Sequence, residues 1–190
     1  MEKGERIIQG DCIEEMQKFD NGYFDYCITS PPFKEKEIEG DYWEFFDKFV
    51  NLLRQKVSKV AFVFNSSTKM REMFARYPEI KRVLIWGKAP SMYSYRYEPI
   101  FVFVFDESFK VNKYLFKDYW QIAPVLGNSK TYENPVKLYK EILLKLPKGK
   151  VLDPFAGTGT TGKACEELGM EYTLIDLKKL NMEGRNSSHI

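Results

Sequence analysis

Two short segments of this chain carry groups that could do chemistry. Val151-Leu152-Asp153-Pro154-Phe155-Ala156-Gly157-Thr158-Gly159-Thr160-Thr161-Gly162-Lys163-Ala164 reads as a strand, a glycine-rich turn and a helix. Glycines let a backbone approach a ligand closely, and the start of a helix offers free N–H groups. Asp176 lies 19 residues after Gly157, at the end of the next apolar run. A carboxylate there can accept both hydroxyls of a ribose, so a nucleoside-containing ligand is expected. Three ligand classes compete. Gly157, Gly159 and Gly162 match a dinucleotide fingerprint, but Asp153-Pro154-Phe155 puts an acid and a bulky ring at the entry to the turn. Gly157 to Lys163 matches most of a phosphate-binding P-loop, but Ala164 stands where a Ser or Thr must hold magnesium. The third class is S-adenosyl-L-methionine (SAM), whose ribose and amino-acid end suit an Asp-x-Phe-x-Gly-x-Gly turn with a distal acid. An ordinary glycine-rich connection is the bland alternative.

The second segment is Asp25-Tyr26-Cys27-Ile28-Thr29-Ser30-Pro31-Pro32-Phe33. Two prolines at a strand exit fix the backbone and leave carbonyls outside the ladder. Ser30 adds a hydroxyl that donates or accepts, and Phe33 a flat ring for stacking. Ligands of open parallel sheets bind beyond the strands' carboxyl ends, so both turns are expected to face one crevice.

The elements that must position these turns follow from periodicity. Strands are expected at 6–9, 23–29, 60–64, 82–86, 100–105, 151–153 and 172–175. Helices are expected at 14–19, 43–56, 68–77, 135–146 and 161–168. Their alternation predicts an α/β domain with a mainly parallel sheet. No helical pattern separates 82–86 from 100–105, so these two are expected to pair antiparallel. Residues 106–133 have no clean period and read as a loop region. Residues 181–190 read as a tail.

Composition limits the function classes. With 44% hydrophobic and 29% charged residues, a disordered or collagen-like chain is excluded. A length of 190 residues suits one domain, read as residues 1–180. No apolar run reaches membrane-spanning length. Three cysteines without an apolar leader predict reduced thiols in a cytoplasmic protein. The net charge of +2 gives no global field toward a polyanion, so a nucleic-acid partner would need local basic patches.

Taken together and in this order, Thr29-Ser30-Pro31-Pro32-Phe33 ahead of Asp153-Pro154-Phe155-Ala156-Gly157-Thr158-Gly159-Thr160-Thr161 resembles the β-type amino-methyltransferases of nucleic acids. These are the N4-cytosine and N6-adenine DNA methyltransferases and relatives acting on RNA. Gly10-Asp11, Tyr97-Glu98-Pro99-Ile100, Asp118-Tyr119-Trp120-Gln121-Ile122 and Asn134-Pro135-Val136-Lys137 are similar to further family motifs. The resemblance spans roughly residues 6–178. It implies a Rossmann-like seven-stranded fold, mostly parallel with one antiparallel strand, in permuted motif order. The segments would then lie across the sheet in the order 6–9, 172–175, 151–153, 23–29, 60–64, 100–105, 82–86. It implies SAM as cofactor, held by Asp11, Thr29, Asn134, Lys137, Asp153, Phe155, Ala156, Gly157, Thr158, Gly159, Thr160 and Asp176. Ser30, Pro31, Pro32 and Phe33 are the implied catalytic residues.

Two residues depart from the family pattern. Phe33 replaces the commoner Tyr, and Asn134 replaces a usual His. A full target-recognition domain is also missing, with only residues 106–133 in its place. Ser at the first catalytic position favours cytosine N4 over adenine N6 in the family. The small target region leaves DNA and RNA, including ribosomal RNA, nearly balanced, with weight toward RNA because shape and flipped bases carry RNA recognition. Residues 106–150 hold nine lysines against five acids, interleaved with aromatics. Lys113, Lys117, Tyr119, Trp120 and Lys130 are therefore the expected nucleic-acid contacts.

Overall fold

A computed structural model describes residues 5–34, 37–88, 96–114, 117–126 and 132–180. In chain order the elements are β1 (Glu5–Gln9), α1 (Cys12–Gln17), β2 (Phe24–Thr29), α2 (Tyr42–Lys56), β3 (Val57–Phe64), α3 (Met70–Arg76), β4 (Ile80–Gly87) and β5 (Tyr97–Val104). There follow α4 (Val111–Tyr114), β6 (Tyr119–Gln121), β7 (Val125–Leu126), β8 (Tyr132–Glu133), α5 (Val136–Leu143), β9 (Lys150–Asp153), α6 (Thr160–Leu168) and β10 (Glu171–Asp176).

Local signals account for the element ends. Asp41 caps α2 by accepting the Glu44 N–H at 2.8 Å. The α2 stripe of Phe46, Phe49, Val50 and Leu53 is fully buried, as its helical spacing predicts. α6 starts after Gly159 (φ 78°) and stops at Gly169 (φ 61°), two left-handed positions that favour glycine. Central strands are buried on both faces, with side chains alternating between them except at the β2 irregularity between Phe24 and Tyr26. Tyr26, Ile28, Phe62, Phe64, Ile100 and Leu174 pack with α5 and α6 in one core. Phe24, Cys27, Ala61, Val63, Phe101 and Ile175 pack with α1, α2 and α3 in the other. The result is a sheet between two helical layers.

The main sheet has the order β1-β10-β9-β2-β3-β5-β4-β6. Its first seven strands are the seven expected segments in the expected order. β5 runs antiparallel to both β3 and β4, and every other pairing in this sheet is parallel.

The segment 106–133 departs from the expected loop. It contains α4, an eighth sheet strand (β6), and β7, which pairs antiparallel with β8. β6 adds to the sheet edge by pairing Trp120 with Trp86. Three residues are too few to show a period, and only Trp120 among them is buried.

That burial corrects one expectation. Trp120 is 3% exposed, and its indole N–H donates to Glu141 Oε2 at 2.7 Å. The ring is core, not a platform for a base. Trp120→Phe should lower stability by about 1–3 kcal/mol through the lost charge-assisted bond, read from urea unfolding. Nucleic-acid affinity should stay within about twofold of wild type, since surface effects of a buried ring are small.

Candidate active site

β2 delivers the first turn to the carboxyl end of the sheet. Thr29 pairs with Val63 of β3, while Cys27 pairs with Leu152 of β9 on the other side. Pro31 is buried and Ser30 partly open. Phe33 is half-buried against the core on the α5 and α6 side. The Ser30 hydroxyl has no hydrogen-bond partner among the described residues, and neither the Ser30 nor the Pro31 carbonyl accepts a main-chain N–H there. Free acceptors beside a half-exposed ring suit a flat ligand bearing an amino group.

The glycine turn leaves β9, the strand next to β2. Gly157 (φ 53°) and Gly159 (φ 78°) take the left-handed conformation. Gly157 is exposed, and where its Cβ would stand only the Phe155 carbonyl oxygen lies near, at 3.9 Å. A ligand can therefore approach this backbone closely. Asp176 clamps the turn: its Oδ2 accepts the Gly157 N–H at 2.8 Å and its Oδ1 the Lys178 N–H at 2.9 Å. Each carboxylate oxygen keeps a second acceptor position, which ribose hydroxyls could use. Asp11 stands alongside, because the Gly10 N–H donates to the Asp176 carbonyl at 2.9 Å. Its Oδ1 caps α1 through the Ile13 and Glu14 N–H groups. On the far side, Thr160 Oγ1 donates to the Asn134 carbonyl at 3.2 Å, and Asn134 Nδ2 donates to the Tyr139 hydroxyl at 2.9 Å. Phe155 meets Phe49 edge-on at 5.1 Å, which fixes the turn to α2. Open glycine backbone, a ribose-competent acid and the start of α6 together fit the nucleoside end of the SAM that the resemblance implies.

A buried carboxylate joins the two turns. Asp153 is 3% exposed. Its Oδ1 accepts the Thr29 hydroxyl at 2.6 Å and the Phe155 N–H at 3.1 Å, and its Oδ2 accepts the Thr161 hydroxyl. One side chain thus holds the end of β2, the glycine turn and the first turn of α6.

The sequence profile of the N6/N4 DNA methylases matches residues 24–184. The chain belongs to this family. Its members are nucleic-acid amino-methyltransferases that use SAM as methyl donor. A 33-residue stretch is 58% identical to the type II methyltransferase M.SmaI of Serratia marcescens, covering 17% of this chain and 11% of that relative's length. Among solved structures, the cytosine-N4-specific PvuII DNA methyltransferase superposes with a TM-score of 0.76 at 18% identity, over 92% of this chain and 82% of that one. The M1.HpyAVI–SAM complex superposes with a TM-score of 0.69 at 23% identity, over 92% and 94%. At these identities the two likenesses are likenesses of fold.

Against this family frame, the expected cofactor residues divide into two groups. Asp11, Asn134, Ala156, Gly157, Thr158, Gly159, Thr160 and Asp176 come together around the cradle, with Lys137 exposed on the first turn of α5 and Phe155 packed beneath. Thr29 and Asp153 instead lie behind the cradle, bonded to each other. A 124-residue separation hides that pairing from local sequence reading.

The expected nucleic-acid contacts divide as well. β5 descends, so Val104 lies beside Val60 and the Phe105 N–H donates to the Lys59 carbonyl at 2.9 Å. The chain leaves β5 at the amino ends of the parallel strands, and Phe109 there packs on Tyr114 and Tyr26. Lys113 on α4 is therefore at the opposite end of the sheet from the crevice. Lys117 pairs with Glu141 at 3.4 Å and covers the Trp120 ring. Tyr119 is 49% exposed and remains open to a partner. Lys130 lies outside the described residues, as does the tail 181–190. Sequence reading missed Tyr139, which holds Asn134, and Thr161, which completes the Asp153 contacts.

Burial pushes the Asp153 carboxyl from 3.8 up to about 6, against the lowering effect of the Thr161, Thr29 and Phe155 hydrogen bonds. The folded chain then holds this proton to higher pH than the unfolded chain. Between about pH 4 and 6 the native state binds more protons, so this group's contribution to stability falls as pH rises and levels off above 6. Asp153→Asn removes the titration. The stability difference, wild type minus Asp153→Asn, should fall by roughly 2 kcal/mol from pH 4 to 7. Urea unfolding of both proteins across that range measures it, and a flat difference would contradict a buried, proton-retaining Asp153.

Proposed function

We propose that this chain transfers the methyl group of SAM to the exocyclic N4 of cytosine in DNA, as a single catalytic domain over residues 1–180. The observation that carries the reading is the joining of the Ser30-Pro31-Pro32-Phe33 and Gly157-to-Thr161 turns by Asp153 at neighbouring strand ends.

The difficulty of the reaction lies at the nucleophile, because the exocyclic lone pair is conjugated with the ring. The Ser30 hydroxyl and the Pro31 carbonyl each accept one amino hydrogen, which favours a pyramidal nitrogen. Phe33 stacks on the base after it leaves the helix. When bound, SAM supplies a methyl group on a sulfonium, already an excellent leaving group. Asp176 orients the ribose, and the glycine turn admits the cofactor backbone-first. The rate gain then comes from positioning and from hydrogen bonds that strengthen as positive charge grows on nitrogen.

Ser30 supports cytosine over adenine, since Ser at the first catalytic position favours N4 in the family. The DNA methylase family supports DNA as the polymer. The small target region, which weighs toward RNA, contributes 119–126 and 132–133 toward the carboxyl ends among the described residues, and a segment of that size reads a short DNA site at most.

Incubation with methyl-labelled SAM, duplex DNA and ribosomal RNA, followed by nucleoside mass spectrometry, tests the proposal. The expected product is N4-methyldeoxycytidine. Label solely in RNA, or solely at adenine N6, would overturn the polymer or the base, and label in neither would remove the activity. Ser30→Ala and Phe33→Ala should each lower turnover by about 100-fold or more while SAM affinity by calorimetry is retained.

A further inference from the structure

A second polar cluster lies on the crevice side of the sheet, outside the two turns, at the Tyr97-to-Ile100 segment. Glu98 begins the inward part of β5 and is 5% exposed. Its Oε2 accepts from Lys88 Nζ, just past the end of β4, and its Oε1 has no hydrogen-bond partner among the described residues. Burial raises the Glu98 carboxyl against the lowering effect of Lys88. The Lys88 ammonium also lies over the Trp86 ring, 4.5 Å from its centre, with a side chain 22% exposed.

A buried ion pair with a spare unpaired oxygen is a poor stabilising device, because desolvation offsets the attraction. Its location suggests a different use. Thr29 pairs with Val63, and Phe64 pairs with Ile100, so Ser30, Phe64 and Ile100 step across the sheet at intervals of about 4.8 Å. Ile28, Phe64, Ile100 and Trp86 share one core face, and Phe33 packs on that same core. Glu98 and Lys88 continue this face two residues beyond Ile100 and Trp86, toward the crevice. Ser30 and the Lys88–Glu98 pair therefore stand about 12 Å apart between backbones, by strand spacing and rise, on either side of the β3 end at Phe64. A single base lying over that strand end with a hydrogen bond at each side spans such a distance.

The chemistry of the base selects what the far side must supply. With N4 held by Ser30 and Pro31, the next ring atom of cytosine is N3, a pure acceptor. Lys88 offers three N–H donors, only one of which Glu98 takes. We infer that Lys88 is a base-binding residue that donates to N3 of the target cytosine, with Glu98 as the positioning residue that aims it. This rests on the reading of the chain as a cytosine-N4 methyltransferase. Lys88 thereby reads the ring acceptor beside the amino group, an edge that adenine also presents through N1.

The test compares single-turnover methyl transfer to DNA with cytosine or 3-deazacytosine at the target. The analogue keeps the amino group and O2 but replaces N3 by C–H. Wild type should be about 10- to 100-fold slower on the analogue, the range for leaving a buried donor unpaired. Lys88→Met alone strands a buried carboxylate and can unfold the chain, so the decisive variant is Lys88→Met/Glu98→Leu, which removes both charges. It should act on the two substrates at equal rates, with SAM affinity unchanged. Lys88→Arg should restore the discrimination. Equal penalties in wild type and the double variant overturn the inference, as they would if Lys88 contacts a phosphate. If wild type labels adenine instead, the base assignment fails separately, and 1-deazaadenine runs the same cycle on N1. A wild type that labels neither base removes the activity and this inference with it.

Discussion

Two hydroxyls from distant elements, Thr29 at the end of β2 and Thr161 in the first turn of α6, donate to the carboxylate of Asp153. The third donor is the Phe155 N–H inside the glycine turn. Burial makes each of these bonds matter, because an oxygen left unpaired at this depth has no water to turn to. The same burial raises the Asp153 carboxyl to about 6, while the three donors, which bind the carboxylate form better, pull it the other way. Everything proposed for the chemistry depends on the two turns keeping one relative position. A displacement of about 1 Å between nucleophile and methyl group is enough to cost two orders of magnitude in rate.

The surrounding sheet makes such a tie possible. Parallel pairing of β2 with β9 sends both chain exits out of the same edge, and the alternation of Phe24, Cys27, Tyr26 and Ile28 locks β2 between two separate cores. A register slip would exchange these faces wholesale, so the reach of the Thr29 hydroxyl to Asp153 is specified by packing. β5 has the opposite effect on its neighbours. Its reversed direction carries residues 105–114 to the amino ends of the strands, and it brings Glu98 back up beside the crevice.

Much of this architecture was legible in the residues. The seven strand segments had apolar runs of strand length, and the family resemblance carried by the two motifs implied how they sit across the sheet. Spacing alone marked Asp176 as an acid to go with the glycine turn, and its carboxylate lies at that turn, accepting the Gly157 N–H. What could not be read locally depends on partners far along the chain. Trp120 sits among lysines and tyrosines like a surface ring, and only its pairing with Trp86 buries it. Asp153 sits in a cofactor motif, yet its partners are chosen by tertiary packing. The location of Lys113 was implicit in the expected antiparallel strand, since a descending β5 must release the chain at the wrong end for the crevice.

The central claim is that Asp153 positions the catalytic turn against the cofactor turn through Thr29 and Thr161. Single-turnover methyl transfer at saturating SAM and DNA, in Thr29→Val, Thr161→Val and the double variant, tests it most directly. Each single variant should slow transfer by about 10- to 100-fold. The double variant should be little slower than either, because both act through one carboxylate. Rates near wild type in the single variants, with the folds intact, would contradict the account.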